Sequence, residues 1–264
     1  MTPRLEVEGV AIQFGGVKAL QNVSFRVEKG EVVALIGPNG AGKTTLFNVV
    51  SGVYQPSAGR IALEGRDVTG LAPYQLARLG LTRTFQNLQV FFRMTALENV
   101  MVGRNIRESG NLFGYMLGLP SVRRQNARSR ESALELLRFV GADEHAHRPA
   151  GELSYGILKR LEIARALALE PNVLLLDEPV AGCNATETAE IDAVIRKVVS
   201  SGVSVVIVEH DIHLVMNLAD RLHVLDRGAT LATGTPQQIR ENPAVIEAYL
   251  GTPEDEGVLV DVEG

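Results

Sequence analysis

The chain has 264 residues, 45% of them apolar and 22% charged, a formal net charge of −5 and a pI near 5.6. That is enough apolar sequence for one large domain or a core with a satellite, and the acidic balance argues against a general nucleic-acid binder, which carries a basic excess. Cys183 is the single cysteine, so no intramolecular disulfide can form and a reducing compartment is expected.

MTPRLEVEGV lacks the apolar stretch of a secretory signal. The cleanest apolar runs, Val32–Ile36, Val173–Leu176 and Val205–Val208, fall far short of the roughly 18 residues that span a bilayer. Any membrane role is therefore expected to come through a partner.

In chain order, Arg4–Val10, Asn22–Val27, Glu31–Ile36 and Arg60–Leu63 read as strands, with turns at Gly15-Gly16, Lys29-Gly30 and Ser57 to Gly59. A helical pattern runs from Thr44 to about Val53. From Tyr74 to about Ala168 only helical periods are legible, among them Glu131–Val140 closing at Gly141. Residues 104–130 resemble an insertion: a small apolar patch (Leu112, Phe113, Tyr115, Met116, Leu117), then Arg123, Arg124, Arg128 and Arg130. The arginines read as a solvated helix face, with contact to a partner or lipid headgroups as the sharper alternative.

Beyond residue 170 strand and helix alternate. Val173–Leu176 and Val203–Val208 are continuous apolar strands, Ile191, Val194, Ile195, Val198 and Val199 form a helical stripe, Ile212–Ala219 is a helix and Leu222–Leu225 a further strand. Strands of this kind separated by helices imply a parallel sheet covered on both faces. The tail from Pro253 carries acidic residues with Gly and Pro, and is expected to be mobile at its end.

One stretch carries chemistry on its own. Gly37-Pro38-Asn39-Gly40-Ala41-Gly42-Lys43-Thr44 satisfies G-x-x-x-x-G-K-[ST] between a buried strand and a helix. Glycines let successive backbone N–H groups turn inward on phosphates, and the helix N-terminus adds its positive end. Lys43 supplies a point charge for the β/γ-phosphates and Thr44 a hydroxyl for Mg²⁺, with Thr45 beside it. The apolar strand Val173–Leu176 ends in Asp177 and Glu178, an ion ligand and a general base for the attacking water.

With those two stretches in hand, the chain resembles the ABC ATPases over nearly its whole length. Phe14 matches the family's adenine-stacking aromatic. Gln86, in Thr84-Phe85-Gln86-Asn87, matches its glutamine that senses Mg²⁺ and water. Leu153-Ser154-Tyr155-Gly156 matches the signature that meets the γ-phosphate on an opposite subunit, through Ser154 and Gly156. Ala181-Gly182-Cys183-Asn184 matches the dimer loop, and His210 the γ-phosphate histidine.

More closely, the chain is similar to the branched-chain amino acid importer ATPases. The carrying stretches are Phe14-Gly15-Gly16, Thr82-Arg83-Thr84-Phe85-Gln86-Asn87, the 104–125 insertion, Arg160 to Arg165, Asp177 to Gly182, and Gly234-Thr235-Pro236 through Ala248-Tyr249-Leu250-Gly251. It departs from the family at Ile157 and Leu158, where the signature has Gln and a polar residue, and at Asn184, where many relatives have Asp. Singly, Phe14 could be a surface aromatic, Gln86 a loop residue and His210 a strand-end histidine; Cys183 reads as an apolar filler.

The resemblance implies an α/β fold: a P-loop ATPase core with a parallel sheet, an N-terminal antiparallel β subdomain and an inserted α-helical subdomain. Residues 1–85 and 170–240 would form the core, 86–169 the helical unit with the signature, and 241–264 a C-terminal helix and tail. It implies ATP and Mg²⁺ as cofactors, held by Phe14, Gly37 to Thr45, Ser154 and Gly156, with Thr44, Gln86 and Asp177 toward the metal and Glu178, His210 and Gln86 toward catalysis. The implied partners are a second ATPase subunit, two membrane-spanning permease subunits and, indirectly, an extracytoplasmic solute-binding protein, at the cytoplasmic face of the membrane. A lipopolysaccharide-export ATPase, a soluble nucleotide-gated clamp and a weakly hydrolysing structural subunit are the rival readings. The insertion argues against the first, a single cassette without heptads against the second, and Glu178 with His210 against the third.

Overall fold

The computed structural model describes residues 2–84, 88–104 and 120–250, with side chains from residue 124 onward in the last segment and up to residue 249. Gln86, the body of the insertion and the tail from residue 251 lie outside the described residues.

Two sheets share the molecule. The N-terminal sheet is antiparallel, in the order β2-β1-β4-β5, from β1 (Leu5–Phe14), β2 (Val17–Val27), β4 (Ala58–Leu63) and β5 (Arg66–Asp67). The central sheet runs β10-β9-β3-β8-β7-β6, built from β3 (Val32–Ile36), β6 (Leu81–Arg83), β7 (Val173–Asp177), β8 (Ser204–Val208), β9 (Arg221–Asp226) and β10 (Ala229–Gly234). It is parallel except for β10, which returns antiparallel on β9.

The continuous apolar strands have a direct cause. Val32, Ala34 and Ile36 face one apolar layer, with Leu174, Leu176, Val205 and Ile207; Val33 and Leu35 face the other, with Val173, Leu175, Val206 and Val208. Successive side chains in a strand point to opposite faces, so a sheet buried on both sides needs an apolar residue at every position. Burying each Val, Leu or Ile side chain among them contributes about 1.5–3 kcal/mol.

The first layer packs against the helical part: α3 (Ala96–Arg104), α4 (Pro120–Phe139) and α5 (Tyr155–Leu167), and below them α6 (Ala185–Ser200), α7 (Ile212–Leu218), α8 (Pro236–Arg240) and α9 (Pro243–Leu250). The second layer packs against the antiparallel sheet, α1 (Lys43–Val50) and α2 (Pro73–Arg78). The expected stripe on α6 is buried at Ile191, Val194, Ile195 and Val198. Arg124, Arg128 and Arg130 are exposed on α4, as a solvated face requires. Among the described residues no helix is long and apolar enough to cross a membrane.

Three readings change. The helical middle contains a strand after all: β6 pairs its three residues in parallel with β7, Leu81 opposite Val173. So short a strand at a sheet edge carries no periodicity of its own. Strand β10 escaped because its exposed residues and small side chains leave little apolar signal. Of the turn expected at Ser57 to Gly59 only Ser57 is a bend, while Ala58 and Gly59 already belong to β4. Gly59 crosses β1 so closely that a Cβ there would stand 2.5 Å from the carbonyl carbon of Gly9, beside the irregular register of Glu8 and Ala11. Glycine here serves a close backbone approach, not a reversal.

His223 on β9 is fully buried between two hydroxyls, Nδ1 at 2.9 Å from Thr233 Oγ1 and Nε2 at 3.2 Å from Thr230 Oγ1. Its ring lies 5.3 Å from that of Phe25. Burial, with Arg221 adding to it, lowers its pKa to about 4. The folded value lies below the unfolded value of ~6.5, so the neutral ring stabilises the fold fully above pH ~6.5 and loses that contribution as pH falls toward 4. We predict that the stability gap between wild type and His223→Asn, measured by urea unfolding, narrows by about 2–3 kcal/mol between pH 7 and 4. A gap independent of pH would show that His223 is not the titrating group.

Candidate active site

Three neighbouring strands of the central sheet end on the same side, and each ends in a functional segment. β3 runs into Gly37–Thr44, β8 into Glu209-His210 and β7 into Asp177-Glu178, with Asp177 in register with Val208. Open α/β sheets bind ligands at such carboxyl-end edges.

The loop after β3 is fitted closely to its surroundings. At Gly37 a Cβ would stand 2.1 Å from the carbonyl oxygen of Leu225, so no other residue fits. Lys43 is buried as the first residue of α1, and its Nζ donates to the carbonyls of Gly37 at 2.5 Å and Pro38 at 3.0 Å. The ammonium is thus held inside the arch of its own loop. Asn39, Gly40, Ala41, Gly42, Lys43, Thr44 and Thr45 line a cleft of about 530 Å³, closed by His210 on one side and by Val17 to Ala19 and Arg227-Gly228 on others. Phe14 does not line it; it is half exposed at the end of β1 and packs edge-on against Tyr54 at 5.3 Å.

Asp177 is buried at the end of β7 and held by Arg83, whose Nη2 lies 2.7 Å from Asp177 Oδ2. The same guanidinium donates to Asn48 Oδ1 at 2.5 Å and Ser51 Oγ at 2.9 Å, and stands 5.0 Å over the ring of Phe47. Arg83 thus ties β6, the far end of α1 and β7 together. Next to it, Thr84 Oγ1 accepts from the backbone N–H of Asp177 at 3.3 Å.

Glu178 adopts φ +47, a left-handed conformation costly for a side chain with a Cβ. Its N–H donates to Val208 at 2.8 Å and its carbonyl accepts from Lys159 Nζ at 3.2 Å. Held this way, Glu178 Oε1 meets His210 Nε2 at 3.0 Å. The neighbouring Glu209 is buried, and desolvation, reinforced by the charge of Glu178, raises its pKa to about 7.

The signature stretch stands apart from the cleft. Ser154 is the N-cap of α5, exposed and with no side-chain cap bond. Gly156 is buried and donates its N–H to Glu187 Oε1 at 3.0 Å. Ile157 and Leu158 pack into the helical core, so apolar residues suit their surroundings. Asn184 caps α6: its Oδ1 accepts from Glu187 N–H at 3.0 Å while Glu187 Oε2 accepts from Asn184 N–H at 3.1 Å. The departure from Asp is therefore accommodated locally, since Asn caps as well as Asp. Cys183 is half-buried, and burial raises its thiol pKa, as expected of a filler.

Of the expected site residues, the structure brings the loop, Lys43, Thr44, Thr45 and His210 to one cleft and joins His210 to Glu178 beside Asp177. Gln86 lies outside the described residues. Arg83, Glu187 and Glu209 went unassigned by motif reasoning. The only signal for Arg83 was a long cation inside an otherwise apolar and hydroxyl-bearing run.

A strand–loop–helix phosphate cradle, an acidic strand end one strand removed and a helical unit carrying a signature turn define a P-loop ATPase of the ATP-binding-cassette class. Residues 20–181 match the ABC transporter family and residues 229–255 match the family described as branched-chain amino acid ATP-binding cassette transporter. The chain is 46% identical over 250 residues to a Pseudomonas aeruginosa protein named high-affinity branched-chain amino acid transport ATP-binding protein BraF, covering 94% of this chain and 98% of that one. It is 44% identical over 250 residues to Escherichia coli LivG, of the same description, with the same coverage. A solved nucleotide-free ATP-binding cassette from an ABC transporter superposes with a TM-score of 0.83 at 33% identity, covering 95% of this chain and 100% of that one. A cassette dimer in a post-hydrolysis state with ADP and Pi gives 0.73 at 26% identity, covering 88% and 98%.

The chain belongs to the ABC transporter ATP-binding family. It is a nucleotide-binding ATPase subunit whose hydrolysis is coupled to transport.

Replacing Arg83 with Met should destabilise the isolated chain by about 3–5 kcal/mol, because it leaves the buried Asp177 carboxylate without its cation. Urea unfolding of Arg83→Met, Asp177→Asn and the double variant provides the check. The double variant should cost clearly less than the sum of the singles; additive costs would show that the pair does not interact.

Proposed function

We propose that this chain is the ATPase of an importer for branched-chain or other hydrophobic amino acids. The names of the relatives and the match of residues 229–255 support the substrate class. The same observations speak against the lipopolysaccharide exporter and the soluble clamp. The chain would work at the cytoplasmic face of the membrane with a second ATPase subunit, two permease subunits and, indirectly, a solute-binding protein. We assign the core to 1–85 and 170–240, the helical unit to 86–169 and the C-terminal helix and tail to 241–264. The helical content described between Ala96 and Leu167 supports that division.

The observation that carries the catalytic assignment is the Glu178–His210 pair, set beside Asp177 at the edge of the phosphate cleft. Phosphoryl transfer asks the protein mainly for position and electrostatic support. In this assignment the N–H groups of Gly37 to Thr45 and the ammonium of Lys43 hold the phosphates, and Lys43 exchanges its carbonyl partners for phosphate oxygens. Glu178 takes the proton of the attacking water, and His210 fixes the orientation of that carboxylate while facing the terminal phosphate. Phe14 would stack on the adenine.

The residues present also fit Mg²⁺. Among the described residues no three His, Cys, Asp or Glu side chains converge, and Mg²⁺ is commonly held by one or two carboxylates with substrate phosphates and water. Thr44 and Asp177, with Gln86, are the residues that would hold it. Bound there, it neutralises charge on the phosphates. The burial of Asp177 and its fixed position beside Arg83 support this role.

Ser154 and Gly156 would meet the terminal phosphate held by the second ATPase subunit. This accounts for their position away from the chain's own cleft. An isolated chain has half of each site and should hydrolyse ATP poorly.

In the assembled transporter, Glu178→Gln should bind MgATP normally and hydrolyse it ~10²–10⁴-fold more slowly, whereas Lys43→Ala should lose affinity for ATP itself. Equilibrium nucleotide binding and steady-state phosphate release separate the two. Near-wild-type turnover in Glu178→Gln would remove it as the base, and unchanged affinity in Lys43→Ala would undercut the phosphate loop.

A further inference from the structure

The carboxylate of Glu187 occupies an unusual position. Its Oε1 accepts the N–H of Gly156 at 3.0 Å, in the first turn of α5, and its Oε2 accepts the N–H of Asn184 at 3.1 Å, at the N-cap of α6. One anion thus bridges the positive ends of two helices, where negative charge is favoured. The fit is tight: a Cβ on Gly156 would lie 2.6 Å from Glu187 Cγ. Gly156 is therefore needed at this position to admit the carboxylate of its own chain.

We propose that Glu187 is a built-in counter-anion for the signature turn: it holds the Gly156 N–H in the unengaged subunit, and the terminal phosphate bound by the partner ATPase must displace it when the two close. This rests on the reading that Ser154 and Gly156 face that phosphate. An N–H has one proton to give, so Glu187 Oε1 and a phosphate oxygen compete for it. Two like charges at one donor also repel. Glu187 would then set how much ATP is needed to engage the signature, while its second oxygen keeps the dimer loop capped.

A second contact holds the two helices together. Arg160 on α5 also pairs with Glu190 on α6 at 3.2 Å, and its Nη1 donates to the carbonyls of Val140 and Gly141. That contact remains when Oε1 gives up the Gly156 N–H. The neighbouring Ser154, by contrast, is already exposed and makes no side-chain cap bond, so only Gly156 has to be released.

The test has three arms. In the isolated full-length chain, amide hydrogen exchange at Gly156 should be about tenfold faster in Glu187→Ala than in wild type; unchanged exchange overturns the proposal. In the assembled transporter carrying Glu187→Ala in this subunit, the ATP concentration for half-maximal hydrolysis should fall about three- to tenfold, since a hydrogen bond to a charged acceptor is the stronger kind and water restores part of it. A merely structural role would leave that concentration unchanged or raise it, and either result overturns the proposal. Ser154→Ala in the same complex separates the two readings. If it raises the half-maximal concentration while Glu187→Ala does nothing, the trans-site reading stands and the counter-anion fails; if neither moves it, both fail. Should Glu187→Ala fold poorly, Glu187→Gln replaces it. Its neutral amide is a weaker acceptor than the carboxylate and does not repel the incoming phosphate, so a smaller fall in half-maximal ATP is expected, and no fall overturns the proposal.

Discussion

The arrangement on which the rest of the molecule depends is the parallel seating of β8 between β3 and β7. Parallel strands cannot be joined by tight turns, so the chain leaves the sheet after each one through a helix and re-enters at the opposite end. All three strands therefore finish at one edge. The phosphate loop, the acidic pair and His210 are far apart in the chain, yet the register that sets Asp177 against Val208 leaves them side by side. Alternate residues of every strand feed different apolar layers, so slipping a strand by one position would exchange its two side-chain sets and cost packing on both faces at once.

On that edge charges drawn partly out of water need partners before any nucleotide arrives. The protein supplies them locally: the ammonium of Lys43 on the carbonyls of its own loop, Asp177 on a guanidinium shared with Asn48 and Ser51, and Glu178 on His210. The left-handed backbone at Glu178 belongs to the same arrangement, since it turns a residue directly after a buried strand back toward the cleft. Hydrogen bonds at both its N–H and its carbonyl offset that strain.

The face carrying Ser154 obeys a different logic. Its donors are helix-end N–H groups and not lysines, and one of them is already engaged by Glu187. Ile157 and Leu158 turn inward to the helical core, so the unusual letters at those positions are explained by packing. Lys159 joins this face to the carbonyl of Glu178, linking within one chain the turn that would serve the partner's nucleotide and the glutamate that would serve its own.

Much of this was legible before any coordinates. The phosphate loop, the acidic strand end and the doubly apolar strands are written in contiguous residues, because each depends on local geometry: glycines where N–H groups must converge, and unbroken apolar runs where both faces are covered. What the tertiary structure alone decided involves residues far apart in sequence. Arg83 gains its meaning only when β6 pairs with β7, and three residues at a sheet edge announce nothing by periodicity. Gly59 reads as a turn until β1 is seen to cross it. Glu187 reads as the far half of a capping box, and that it also meets Gly156, 31 residues earlier, follows from the packing of α5 on α6. A side chain's long-range partner is set by which elements the apolar layers force together, and no local pattern encodes that.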